Sequence, residues 1–332
     1  MASVGHLESR LDALRPLIEA VNTIELAING DGRVWVERAG DSAMSLSDVM
    51  LSPVEVKDLA GLIANKQRLT LTDAQPAIST TIDYAGATLR CQAIIPPASA
   101  GGTTITFRVF RRRPTGEAPK HFRFLRDQTV SLEAERLELL RAIRDMAMRG
   151  TDPDEFLRAC IEARMNIVIS GGTSSGKTEL ARRLLWMVEQ WHRLVLIEDS
   201  AELLPAQDNA VSLIAERVEA SARSADKLLE MTLRLRPDRI ILGELRGVEA
   251  VTFLEAINTG HEGSFTTVHA TTARKAVNRL AFLVMRAGMP LTLTEIRDYV
   301  RESIDVIVQT GRIGQERGIL ETYFPALDGE SG

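Results

Sequence analysis

Cysteine is almost missing from this chain of 332 residues: only Cys91 and Cys160 occur. They lie far apart and form no metal-ligand spacing, so each is expected as a small buried apolar residue in a reducing cytoplasm. No run of about 18 apolar residues is present, which excludes a transmembrane helix. A charged start followed by an apolar stretch is also missing, so no signal peptide is expected. Positive charge is not in excess: 40 Lys and Arg stand against 45 Asp and Glu, for a net charge of −5. With aromatics at 5%, this argues against a chain whose main business is coating nucleic acid. There is no internal repeat and no low-complexity segment. Hydrophobic content of 45% and charged content of 26% are those of an ordinary globular protein, long enough for two domains.

One stretch stands out. Gly171, Gly172, Thr173, Ser174, Ser175, Gly176, Lys177 and Thr178 fit the phosphate-binding pattern G-x-x-x-x-G-K-[ST] in full. The apolar run 166–170 before it reads as a buried strand. Leu180, Leu184, Leu185, Val188 and Trp191 after it recur at helical spacing. A strand that ends in a glycine turn opening a helix aims several backbone N–H groups and the positive helix end at one spot. Lys177 is expected to reach the β- and γ-phosphates of a nucleoside triphosphate, and the Thr178 hydroxyl to ligate Mg²⁺.

The first third carries strand and turn signals. Residues 23–28 and 33–37 read as a hairpin across Asn29-Gly30-Asp31-Gly32, after a helix over 7–20. A second pair is expected at 80–84 and 88–95, with Ala85-Gly86 between, and a further strand at 103–111. Between Arg108 and Arg126 there are seven basic residues (Arg108, Arg111, Arg112, Arg113, Lys120, Arg123, Arg126) against Glu117 alone. This stretch reads as a solvated linker or as a contact for another subunit or an anionic surface. A helix over 133–148 and another from Pro153 follow. Beyond them, apolar runs at 166–170, 194–197, 240–243, 264–269, 304–309 and 319–324 alternate with helical segments. That pattern implies an α/β domain with a mostly parallel sheet that carries the phosphate loop, preceded by a smaller α+β domain. The expected division is 1–113, a linker at 114–130, and 131–332.

Three more polar clusters sit where strands meet loops. Glu198 and Asp199 end the run at 194, with Glu202 shortly after; Glu244 ends the run at 240; His261 and His269 bracket the run at 264. In open α/β sheets ligands bind outside the carboxyl ends of the strands, so these groups are expected around one crevice. Acids at a strand tip, Asp199 and Glu198 here, also have a plainer reading as helix caps. Glu244 can orient or deprotonate a water attacking the γ-phosphate, or act on Mg²⁺. His269 can hydrogen-bond the γ-phosphate or couple its loss to movement.

The phosphate loop, the acidic box 197–202, the Walker B region 235–246 and the histidine box 260–270 occur in the order of the hexameric secretion ATPases, which the chain resembles. Within that superfamily it is most similar to the traffic ATPases of type IV secretion and conjugative transfer. Arg90-Cys91-Gln92 leading to Pro96-Pro97, then Ile105-Thr106-Phe107-Arg108, mirror that family's two arginine-bearing strands. The resemblance spans roughly 10–325. It implies an ATPase using ATP and Mg²⁺, with Lys177, Glu244, Glu198, Glu202 and His269 as its catalytic group. It also implies Mg²⁺ on Thr178, Glu198 and Glu244, and arginines Arg90, Arg108 and Arg236 on the nucleotide. A homohexamer follows from it, working with other secretion-system ATPases and inner-membrane channel components. Peripheral association with the cytoplasmic side of the inner membrane and no sequence-specific nucleic-acid binding complete the expectation. The alternatives are a type IV pilus or type II secretion motor, a RecA-like nucleic-acid motor, and a nucleotide-gated scaffold with little turnover. Ser174 stands where the family usually carries glycine, from which slower turnover is expected. The Walker B strand, as in the family, lacks a terminal Asp.

Overall fold

The computed structural model describes residues 2–111, 121–126, 129–218 and 220–327. In chain order, the elements up to residue 111 are α1 (Ala2–Leu11), α2 (Arg15–Glu19), β1 (Thr23–Ile28), β2 (Arg33–Arg38), β3 (Ser45–Met50), α3 (Pro53–Lys66), β4 (Ala77–Tyr84), β5 (Ala87–Ile94) and β6 (Thr104–Arg111). Next come α4 (Leu132–Met148), α5 (Pro153–Glu162), β7 (Ile167–Gly171), α6 (Lys177–Met187), β8 (Leu194–Glu198) and β9 (Ala210–Ile214). The remainder is α7 (Ala225–Thr232), β10 (Arg239–Leu242), α8 (Glu249–Asn258), β11 (Phe265–Val268), α9 (Ala273–Arg286), α10 (Leu293–Ser303), β12 (Val306–Ile313) and β13 (Glu316–Tyr323).

The chain divides into two compact units, Met1–Arg112 with Glu189–Gly243, and Arg113–Val188 with Glu244–Gly332. The division expected from the sequence is linear, whereas compactness groups 189–243 with the amino-terminal residues. Of the expected linker, 114–120 and 127–128 lie outside the described residues, as do Arg112 and Arg113 of the basic stretch.

In the first unit the sheet order is β3-β2-β1-β6-β5-β4, with each neighbouring pair antiparallel. Alternation along the strands gives one apolar face: Leu26, Ile28, Val34, Val36, Leu89, Cys91 and Phe107 pack with Leu7, Leu11, Leu14 and Ile18, and with Val56, Leu59 and Ile63 of α3. The expected single helix over 7–20 is interrupted by a 3₁₀ turn at Asp12–Leu14. The β4–β5 turn runs through Ala85 (φ +51°) and Gly86 (φ +74°), both left-handed as a two-residue hairpin turn of right-handed strands needs. β3 and α3 are additional to the elements expected from the sequence. β3 is an exposed edge with no apolar alternation. α3 carries a readable capping box, Ser52 with Glu55, and proline at its first position.

The later part of this unit holds the parallel strands β10-β8-β9. β9's other edge is covered by residues 98–100: Ala100 N–H donates to Ser212 O at 2.9 Å and Ile214 N–H to Ala98 O at 2.8 Å.

In the second unit the order is β13-β12-β7-β11. β12, β7 and β11 run parallel, and β13 returns antiparallel to β12, so the sheet is mixed. Arg136 of α4 bonds to Asp305 just before β12 (Nε to Oδ1, 3.1 Å), and Asp305 Oδ2 accepts the Asn166 N–H at 2.7 Å before β7. Cys91 and Cys160 are both buried, and burial pushes the Cys160 thiol up to about 12.

Candidate functional site

β7 is buried throughout and delivers the chain into the phosphate loop. Gly171 is required where it stands: a Cβ there would meet Ser175 Oγ at 2.2 Å and Thr310 Oγ1 at 2.4 Å. Gly176 closes the loop at φ +98° and serves as the N-cap of α6, its carbonyl accepting the Leu180 N–H at 3.0 Å. Ser174 is left-handed as well, at φ +58°. α6 then buries Ala181, Leu184 and Leu185. Trp191 does not continue that stripe; the helix ends at Met187, and Trp191 lies beyond it, exposed.

Lys177 turns back onto its own loop, with Nζ donating to Gly171 O at 3.1 Å and Gly172 O at 2.9 Å. It also stands 3.5 Å from His269 Nε2. Partial burial holds its ammonium below the usual lysine range, an effect countered by Glu244 and deepened by Arg246. Glu244 is held at both oxygens: Oε1 lies 3.3 Å from His269 Nε2, and Oε2 accepts from Arg246 Nη2 at 2.6 Å. The segment carrying Glu244 is itself anchored. Leu245 N–H donates to Thr267 O of β11 at 2.9 Å. The Glu249 carboxylate accepts the N–H groups of Arg246 (2.6 Å) and Gly247 (2.8 Å). The second unit thus gathers Lys177, Glu244, Arg246 and His269 beside the loop, from three separate stretches of chain.

A cleft of about 780 Å³ opens here, lined by residues 174–180 of the loop and α6 and by Thr310, Arg317 and Gly318 of the β12–β13 hairpin. Its lining cations Lys177, Arg182, Arg183 and Arg317 outnumber its one carboxylate, Glu179, and the carbonyls that Lys177 holds are neutral partners an anion can displace. That donor set fits a polyphosphate. Among the described residues no group of three or more His, Cys, Asp or Glu side chains could hold a metal ion. The Thr178 hydroxyl, in the first turn of α6 beside Lys177, suits Mg²⁺ carried in on substrate phosphates and water rather than an all-protein cage.

The other expected residues lie in the first unit. Glu198 is buried, its Oε1 accepting the N–H groups of Glu202 and Leu203, each at 3.1 Å. Glu202 accepts from Ser200 Oγ at 3.2 Å. On the second face of the amino-terminal sheet, one row crosses four strands: Arg90 opposite Arg108, Arg108 opposite Glu25, Glu25 opposite Glu37. Arg90 and Arg108 are exposed and lie over the Phe110 ring, at 5.5 and 5.7 Å from its centre. Arg236, left-handed at φ +57°, grips Glu37 with two bonds of 3.0 Å and also bonds to Asp238. Arg193 is fully buried: it bonds to Asn209, Nη1 donates to Asn29 Oδ1 at 2.8 Å, and Nε donates to Leu235 O at 2.7 Å. Burial raises the Glu25 carboxyl to about 7 against the opposing pull of Arg108, with Glu37 adding to the rise. Arg111 of the basic stretch is a clamp that bonds to the Thr23 carbonyl at 2.9 Å and to the Ile18 carbonyl.

A family model described as type II/IV secretion system protein matches residues 125–312, more than half of the chain. The chain belongs to this secretion ATPase family. It is 34% identical over 314 residues to the conjugal transfer protein TrbB of Rhizobium radiobacter, covering 93% of this chain and 86% of that one. It is 30% identical over 337 residues to the type IV secretion system protein VirB11 of Bartonella quintana, covering 97% and 94%. Its structure matches the crystal structure of the VirB11 ATPase from the Brucella suis type IV secretion system, in complex with sulphate. The TM-score is 0.82 at 30% sequence identity, over 98% of this chain and 96% of that one. The α/β fold and the kinship with type IV secretion ATPases expected from the sequence therefore hold.

Sequence reasoning did not find Arg246, Glu249, Thr310 or Arg317. Glu249 was within reach, as an acid at the start of a helix shortly after a glycine. Thr310 and Arg317 touch the loop from 135 and 143 residues away, and no local pattern marks them.

Proposed function

We propose that this secretion-family chain hydrolyses ATP with Mg²⁺ and works as a six-membered ring in a type IV secretion or conjugation apparatus. The observation that carries the reading is the linked set Lys177–His269–Glu244–Arg246 beside a complete phosphate loop. The Brucella suis relative's complex with sulphate is consistent with an oxyanion site.

In the proposed mechanism Lys177 exchanges the Gly171 and Gly172 carbonyls for the β- and γ-phosphate oxygens, while loop N–H groups hold the remaining phosphate charge. Glu244, fixed at both oxygens, orients the attacking water and accepts its proton. His269 sits between Glu244 and Lys177 and is suited to register whether the γ-phosphate is present. Thr178 and Glu244 would hold Mg²⁺, which would supply positive charge against that developing on the phosphates. Glu198 takes a supporting part, since its Oε1 already ties the 202–203 turn, and Glu202 assists beside it. Arg90 and Arg108 are the arginines we assign to phosphate, because their guanidiniums rest on an aromatic ring. Arg236, gripped by Glu37 and Asp238, is assigned to the first unit's own ion network.

Lys177→Ala is expected to abolish Mg²⁺-dependent ATP hydrolysis while leaving the circular dichroism spectrum unchanged; a variant that still hydrolyses at the wild-type rate sinks the reading. Mass measurement with an ATP analogue and Mg²⁺ is expected to show six copies, and a strict monomer at micromolar concentration removes the ring. Among the described residues no helix is long and apolar enough to cross a membrane. The exposed Phe122, Phe124 and Leu125 beside Arg123 and Arg126 support a peripheral contact at the cytoplasmic face of the inner membrane. Partner ATPases and channel components of the same apparatus belong to this proposal.

A further inference from the structure

Ser174 is the one non-glycine residue of the phosphate loop in the left-handed region. There a side chain brings Cβ close to the following carbonyl oxygen, and the conformation persists where neighbours hold it. Here the hold comes from Arg317, whose Nε donates to the Ser174 carbonyl at 3.0 Å. The stem of the same arginine lies over Gly176, where a Cβ would stand 3.8 Å from Arg317 Cδ.

Strand lengths explain how Arg317 reaches the loop. β7 stops at Gly171, paired with Thr310 of β12. β12 runs on to Ile313, turns at Gly314 (φ +62°) and returns as β13. The tip of the hairpin therefore overshoots β7, and Arg317 and Gly318 line the same cleft as Lys177. Arg312 and Arg317 face each other across this tip, an unfavourable pairing of like charges. They resolve it by turning apart: Arg312 bonds the Gly314 carbonyl at 2.6 Å and Arg317 the phosphate loop. The hairpin grips the loop a second time through Thr310 Oγ1, 2.9 Å from Ser175 Oγ.

We propose that Arg317 is a positioning residue for nucleotide: by holding the Ser174 carbonyl it fixes the turn that aims the loop's N–H groups, and so offsets a serine where glycine would turn without strain. In a trans peptide the carbonyl and the next N–H point in opposite directions. Drawing the Ser174 carbonyl toward the hairpin therefore directs the Ser175 N–H away from it. Arg317 lies beyond residue 312, where the family match ends. The inference rests on the ATP-binding reading above.

The test is a cycle of four proteins: wild type, Arg317→Ala, Ser174→Gly and the double variant, titrated with ATP and with ADP. Arg317→Ala is expected to weaken both nucleotides alike, by roughly tenfold, as for loss of a charge-assisted hydrogen bond. KM should rise with kcat little changed at saturation. In the Ser174→Gly background the same substitution should cost less than about twofold, because glycine needs no hold. Equal losses in both backgrounds, or no loss in either, overturn the proposal. Should Arg317→Ala fail to fold, Arg317→Lys carries the same cycle, since it keeps a stem over Gly176 and lacks the Nε donor. A wild type that binds no ATP defeats the function proposed above; a wild type that binds, with an additive cycle, defeats the role of Arg317 alone.

Discussion

One charged cluster in each compact unit is held in the opposite way to the other. In the second, Lys177, His269, Glu244 and Arg246 form an open chain beside the phosphate loop; the His269 and Arg246 side chains are 43% and 45% exposed. The lysine's bonds to carbonyl oxygens are ones that phosphate can replace at little cost. In the first unit one cluster is sealed in: Arg193 is fully buried, and Arg236 and Glu37 are 17% and 19% exposed and bidentate. Arg90 and Arg108 lie outside that cluster, exposed and resting on Phe110. A cation held by a ring or a carbonyl can be recruited by a ligand. One locked to a carboxylate holds a fold together, because parting it strands a desolvated charge.

Substitution of the two kinds of arginine breaks that comparison most directly. Arg236→Ala is expected to lower stability by about 2–4 kcal/mol, since it takes the shared cation away from Glu37 and Asp238; chemical denaturation measures it. Arg108→Ala should leave that midpoint nearly unmoved and weaken ATP by about 1.5–3 kcal/mol, ten- to hundredfold, with ADP less affected. If Arg108→Ala destabilises as much as Arg236→Ala, or if Arg236→Ala alone lowers ATP affinity, the assignment is reversed.

A smaller effect sharpens the first unit's side of the contrast. With its carboxyl raised to about 7 in the fold and near 4.3 in the unfolded chain, Glu25 binds more protons folded than unfolded between those values. Stability should therefore fall as pH rises from about 4.5 to about 7, and level off above, by at most about 3.7 kcal/mol from this group. Glu25→Gln should remove that slope and be the more stable protein at pH 8. A wild type and Glu25→Gln with parallel pH profiles would show that Glu25 ionises freely in the fold.

How far the sequence could be read follows the range of each interaction. The phosphate loop is legible because its glycines, lysine and flanking apolar runs are contiguous, and Gly171 and Gly176 have the geometric need the motif implies. Buried parallel strands such as β7, β8 and β10 announce themselves as short apolar runs. The exposed edge strand β3 has no such signature, and its place in the sheet comes from pairing with β2. Asn29 reads as a turn residue and is one, yet its side chain also reaches Arg193 and Asn209, over separations of 164 and 180 residues. The grouping of 189–243 with the amino-terminal residues is invisible for the same reason. Ser174 was readable as a departure from glycine; its remedy, Arg317, was not.

The central claim is that Glu244, held between His269 and Arg246, acts on the attacking water while the phosphate loop does the binding. Nucleotide affinity and single-turnover hydrolysis measured together on Glu244→Gln test it most directly, because the amide keeps the shape and removes the base. The account expects ATP affinity within a few-fold of wild type and hydrolysis slower by about 10²-fold or more. Hydrolysis at the wild-type rate would contradict it.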